Sequence, residues 1–190
     1  MFRNFLNKNK SNKSVFFLSG FGLIEMMVSI GILVLVMTVI LARQDAFNSA
    51  VLLRGQAYEV ALQAREIQLY AVSVIGSGSS FRVPYGIHFI NNSGSYTIFR
   101  DINNNGVYDG SDTIFGKQGI LDPRFVIDRL QVDGGASLSE LSIVFERPNF
   151  DALFGGDVAE IDVRLRGTTG TGVGEVRTVE ITRTGQISVQ

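Results

Sequence analysis

Two sets of residues in this chain carry chemistry that depends on their setting. The first is a single acid, Glu25, inside the run Phe21-Gly22-Leu23-Ile24-Glu25-Met26-Met27-Val28. Residues 21–42 number 22, and Glu25 is the only formal charge among them. A carboxylate in such a stretch is costly where water is excluded, on the order of 2.5–3.5 kcal/mol at the centre of a membrane-spanning helix. It calls for a counter-charge. The second set is Asp101-Ile102-Asn103-Asn104-Asn105-Gly106-Val107-Tyr108-Asp109-Gly110-Ser111-Asp112, with oxygen-bearing side chains at loop positions 1, 3, 5, 9 and 12 and glycine at 6. That spacing suits a calcium loop, since Ca2+ takes roughly six to eight hard oxygens. Asp101, Asn103, Asn105, Asp109 and Asp112 would ligate through side chains and Val107 through its carbonyl. Position 12 is Asp where such loops use the longer Glu, and strands rather than helices are expected on both sides. The alternative is an Asn/Gly/Asp turn held by side-chain-to-backbone hydrogen bonds, with no metal.

The counter-charge for Glu25 is suggested just upstream. Residues 1–20 contain Arg3, Lys8, Lys10 and Lys13 and no acid. A basic leader before an apolar helix follows the positive-inside pattern, which keeps the leader cytoplasmic and sends the C-terminal part across. The apolar stretch is too long for an ordinary secretory signal, and no small-x-small cleavage site follows it. The junction Gly20-Phe21, with an acid at Glu25, resembles the processing site of type IV prepilins and pseudopilins. That resemblance implies cleavage after Gly20 by a membrane prepilin peptidase and N-methylation of the new terminus at Phe21. It also implies that Glu25 meets the Phe21 amine of a neighbouring subunit during assembly. Gly22 stands where the family often has Thr or Ser, and no Lys or Arg adjoins the cleavage glycine.

These residues need elements to position them. Residues 21–42 would form a helix of roughly 33 Å, enough to cross a bilayer's hydrocarbon core. The helical pattern then continues through 43–75. Ala46, Ala50, Leu53, Ala57, Val60, Ala64, Ile67, Ala71 and Val74 recur at alternating spacings of 4 and 3, which places them on one stripe. Arg43, Asp45, Arg54, Glu59, Arg65 and Glu66 lie between them and predict a polar back to an amphipathic rod. No proline interrupts 21–74, and Gly76-Ser77-Gly78-Ser79-Ser80 is the expected stop. Alanine dominates the stripe, which suits a sheet lying close across the helix. Residues 81–190 read as β-rich, with strands expected at 81–83, 86–90, 96–100, 125–132, 141–146, 161–165, 176–182 and 186–189. Thr184-Gly185 supplies a turn between the last two. The fold class is therefore α+β: a long N-terminal helix packed on an antiparallel β domain, the layout that the resemblance also implies.

Composition narrows the function. The chain has 190 residues, 14 phenylalanines and no cysteine, so a disulfide-closed C-terminal loop of the kind many major pilins carry cannot form. The absent cysteines, the 101–112 loop and the closing hairpin look more like a minor pilin of the GspH/FimT-like group or a type II secretion pseudopilin. The implied partners are other pilin or pseudopilin subunits, the prepilin peptidase, the inner-membrane assembly platform and the membrane. The implied location is the bacterial inner membrane as a single-pass protein, then a periplasmic or extracellular filament. A DNA-binding minor pilin for DNA uptake is the alternative, using Arg164, Arg166, Arg177 and Arg183. Without the leader's four cations, 13 Lys plus Arg face 18 Asp plus Glu, a net of −5. Those arginines interleave with Glu160, Asp162, Glu175 and Glu180, so nucleic acid is not the expected partner. Enzyme chemistry is not expected either. His88 is the only histidine, it lies in a strand-like segment, and the acids form no recognisable paired motif.

Overall fold

The structure, a computed structural model, describes residues 22–73, 83–170 and 175–190, with the side chains of 43, 45 and 46 left out. The leader, Gly20, Phe21, the 76–80 helix stop and all but the last residue of the strand expected at 81–83 lie outside the described residues. Two compact units divide the chain after Gln44. One helix, α1 (Leu23–Val72), supplies residues to both.

In the first unit, every described residue from 22 to 42 is exposed. This is one helix long and apolar enough to cross a membrane. It opens with Met26 N–H donating to the Gly22 carbonyl at 3.1 Å. Thr38 returns its hydroxyl to the Val34 carbonyl at 2.8 Å, so its polar group is satisfied within the helix.

The second unit is α1 from residue 45 onward with two antiparallel sheets. The first contains β1 (Tyr85–Ile90), β2 (Ser95–Arg100), β3 (Thr113–Ile114), β4 (Gly119–Ile120), β6 (Glu140–Phe145) and β7 (Ala152–Leu153), ordered β3-β2-β1-β6-β7 with β4 also on β2. The second contains β5 (Phe125–Val132), β8 (Val158–Leu165), β9 (Val176–Thr182) and β10 (Ile187–Val189), ordered β10-β9-β8-β5. The expected strands from 86 onward are found, β8 beginning three residues earlier than 161. Val83 is not in a strand. The two-residue strands β3, β4 and β7 are additions, too short to show any period.

Leu53, Ala57, Val60, Ala64, Ile67 and Ala71 are each at most 1% exposed and share one cluster with residues of both sheets, among them Phe89, Phe145, Ile161 and Ile181. The alanines have no bulk to hold the sheets off. Each large side chain fully buried here contributes about 1.5–3 kcal/mol. Along β5 the inward positions run Phe125, Ile127 and then Leu130, because the register on β8 shifts between Ile127 and Arg129. The bulge resets the alternation so that both ends of the strand feed the core.

The polar back expected for the second half of α1 needs correction. Phe47, Val51, Tyr58, Leu62 and Leu69 are exposed, 44% or more in each case. At about 100° per residue they gather on the side of the helix opposite the buried stripe. The charges lie among them and beside them.

Polar anchors fix the end of α1. Arg147 donates to the Ala71 and Ser73 carbonyls at the C-terminal end of the described helix, where backbone acceptors need partners from outside it. Gln68, 4% exposed, donates its amide to the carbonyls of Phe150 and Gly185, both at 2.9 Å. Gly185 has φ +79°, and a Cβ there would come within 1.9 Å of the Phe150 oxygen, so glycine is required. Replacing Gln68 by leucine leaves two carbonyls unpaired in a closed site. The full chain should lose about 2–4 kcal/mol of stability, read by chemical denaturation. A loss near zero would mean that the amide bonds do not anchor the helix.

Candidate functional site

Three groups of side chains offer chemistry. Glu25 lies in the first turn of α1, exposed, and is the only acid or base among residues 22–42. The expected processing site, Gly20 and Phe21, falls outside the described residues, and with it the Phe21 amine expected to meet Glu25 of a neighbouring subunit.

The second group is the 101–112 loop, between β2 and β3. Asp101, 1% exposed, accepts the Asn105 N–H at 3.1 Å and the Gly106 N–H at 2.8 Å. Asn103 and Asn105 both donate side-chain amides to Asp109 Oδ2, at 2.9 and 2.7 Å. Asp112 accepts the N–H groups of Ile102 and Asp109 at 3.0 and 2.9 Å. Asn105 Oδ1 accepts the Val107 N–H at 2.8 Å. Gly106, with φ +77°, makes the sharp turn that lets these groups converge. Every side chain named as a calcium ligand, and the Val107 amide, is thus drawn into the same turn. Among the described residues, no three His, Cys, Asp or Glu side chains gather closely enough to hold a metal ion. The hydrogen bonds account for the loop's shape whether or not a cation joins it.

The loop also does something its spacing did not reveal. It places Tyr108 against the face of the first sheet turned away from α1. The Tyr108 ring lies 5.0 Å from that of Phe99 and 5.1 Å from that of His88. Tyr108 N–H donates to Ser142 Oγ at 3.1 Å, and Ser142 Oγ lies 2.9 Å from His88 Nδ1. Phe99 and Val144 are closed off there, and Phe99 crosses Gly86 so tightly that a Cβ on Gly86 would come within 2.5 Å of its ring. Burial pushes the His88 imidazole below its ordinary range, with Glu140, 3.7 Å away, opposing the shift. His88 is therefore a packed residue of this small second core. A cleft of about 550 Å³ beside the loop is bordered by Asp101, Val107, Glu140, Glu146, Leu153 and Phe154. Its described lining includes no histidine or lysine to act as a base or electrophile.

The third group is the arginines. Arg164 pairs with Asp128 at 2.6 Å, and Arg183 lies 3.8 Å from Asp157. Arg166 donates to the Pro123 carbonyl at 3.2 Å. Asp162, 4% exposed, is held by Arg129 at 2.8 Å and by the Thr178 hydroxyl at 2.6 Å. Arg164, Arg183 and Arg129 thus make local pairs with acids, and Arg166 is tied to a backbone carbonyl.

Comparison with protein-family models, curated proteins and solved structures finds no match to this chain.

The loop carries a pH signature. Hydrogen bonds from the Ser111 hydroxyl and amide, with further ones from Asn103 and Asn105, hold the Asp109 carboxyl down from 3.8 to about 2. A depressed carboxylate favours the closed loop above its unfolded value, and the contribution is lost as pH falls through the folded one. Protection of the Ser111 amide should therefore fall between about pH 4 and pH 2, read by NMR hydrogen exchange. An amide unchanged across that window would show that Asp109 does not hold the turn.

Proposed function

We propose that this chain is a structural subunit of the prepilin type, a minor pilin or pseudopilin of a type IV pilus or type II secretion pseudopilus. It is processed after Gly20 by prepilin peptidase, methylated at Phe21, held in the inner membrane through residues 21–42, and passed by the assembly platform into a filament. One observation carries the reading. Residues 22–42 present apolar side chains to their surroundings on every side, with a single carboxylate, Glu25, in the first turn. Such a helix needs lipid or other apolar helices around it. The acid needs a cation, and cleavage after Gly20 creates an ammonium at Phe21, four residues away. A buried charge-assisted bond between Glu25 and the terminus of a neighbour would remove both charges from the apolar phase. The α+β layout beyond the helix, with β strands closed over an alanine-rich stripe, is compatible with a subunit whose second unit faces outward.

Two measurements test this. Mass spectrometry of the chain from cells with active prepilin peptidase should give a mature terminus of N-methylated Phe21. An intact leader would refute the reading. Glu25→Ala should leave processing unchanged and reduce incorporation into sheared filaments at least about tenfold, in line with an unpaired ammonium left in an apolar site.

A further inference from the structure

The exposed stripe on α1 between Phe47 and Leu69 has a definite pattern. Written as heptads, Gly55, Leu62 and Leu69 take one seam position and Val51, Tyr58 and Arg65 the other. Leu62 is 65% exposed and Val51 55%. Nothing would meet a Cβ on Gly55 within 4 Å, so a second helix could approach closely there. The one charged seam residue, Arg65, reaches out of line, its Nη2 3.4 Å from the Ile187 carbonyl at the rim of the sheet. The flanks differ in sign: Arg54 stands on one side of the seam, and Glu59 and Glu66 stand on the other. We infer that two copies of this chain pair in parallel along this stripe, with Arg54 of each copy against Glu59 of the other.

The charges select both occupant and direction. In a parallel pair of helices, opposite flanks meet across the seam, so the basic flank of one copy faces the acidic flank of the other. In an antiparallel pair, each flank meets its own kind, and Glu59 and Glu66 would face acids. A lipid surface favours a basic border around an apolar face, and here two acids, Glu59 and Glu66, stand on one border. Geometry allows the pairing because the seam lies opposite Leu53, Ala57, Val60 and Ala64, which are buried against the sheets. Two copies can therefore meet back to back with both β domains directed outward. In the single copy Arg54 rests on Tyr58, with its guanidinium 5.5 Å from the ring centroid and Nη2 3.5 Å from the hydroxyl. That leaves its charge beside the seam and available to Glu59 of the second copy. The inference rests on the back of α1 and holds whether or not the chain enters a filament.

The chain has no cysteine, so introduced thiols report without background. Purified full-length Leu62→Cys and, separately, Val51→Cys in detergent micelles should both oxidise to disulfide-linked dimers, and Gln63→Cys, one residue off the seam, should not. Adding Arg54→Glu to Leu62→Cys turns two attractive contacts into two repulsive ones and should lower the dimer yield about tenfold. Adding Glu59→Arg as well should restore it. Equal cross-linking at 62 and 63 would overturn the proposal by placing the association elsewhere, and cross-linking at only one of 51 and 62 would overturn the parallel arrangement. Failure of Glu59→Arg to rescue would exclude the Arg54–Glu59 contact. All five positions lie outside the hydrophobic cluster, so none of these changes should disturb the core.

Discussion

The contact on which the second unit depends is the close approach of an alanine-rich helix stripe to two sheets at once. An isolated antiparallel bridge between Ser93, in the turn from β1 to β2, and Ile127 of β5 ties the two sheets together. The larger connection is the apolar cluster beneath α1, where Phe89 and Phe145 from one sheet and Ile161 and Ile181 from the other meet the same stripe. Bulky residues at 57, 64 and 71 would force helix and sheets apart, and overpacking of this kind costs about 1–3 kcal/mol per site. Gln68 and Arg147 belong to the same constraint. A helix packed this closely brings polar backbone groups out of water, and those side chains satisfy them.

A sheet that commits one face to a core must dispose of the other, and the two sheets do so differently. The first is covered by its own loop, so that Tyr108 closes a small second core over Phe99, Val144 and His88. The Asp and Asn side chains of that loop hold the turn that delivers the tyrosine. The second sheet carries paired charges on its outer face, Asp162 with Arg129 and Asp128 with Arg164. An aspartate as closed off as Asp162 is tolerable only with both its guanidinium and its hydroxyl partner in place.

The legible parts of the fold are those with a period. The 3.6-residue recurrence of Leu53, Ala57, Val60, Ala64, Ile67 and Ala71 gave the buried stripe, and alternation gave the strands of six residues or more. What escaped depends on contacts between distant segments. Asp128 makes a bulge only because β8 sets its register, and Gly86 is required only because Phe99 lies across it. Oxygen spacing marked the 101–112 turn, but the surface it covers is visible only in three dimensions. The exposed stripe escaped for a different reason. Charges between the buried positions suggested a polar back, whereas Phe47, Val51, Tyr58, Leu62 and Leu69 follow the same period half a turn away. Reading one stripe concealed the other.

That second stripe shares a physical logic with Glu25. Apolar contact is strong but has no direction, so an exposed apolar helix surface alone cannot specify which neighbour it meets, or at what register. A few charges beside or within such a surface can, because a misplaced partner leaves them unpaired where water is scarce. Glu25 is one acid in an otherwise uncharged span, and in the proposed filament it would select positions in which a cation stands opposite. Arg54 and Glu59 border a seam of leucine, valine and tyrosine, and in the proposed pair they would favour a parallel neighbour over an antiparallel one. On both proposals the apolar residues would supply the attraction and the sparse charges would decide the geometry. Exchanging such a charge for an uncharged residue is therefore expected to leave adhesion largely intact while removing order, the opposite of what truncating a core leucine does.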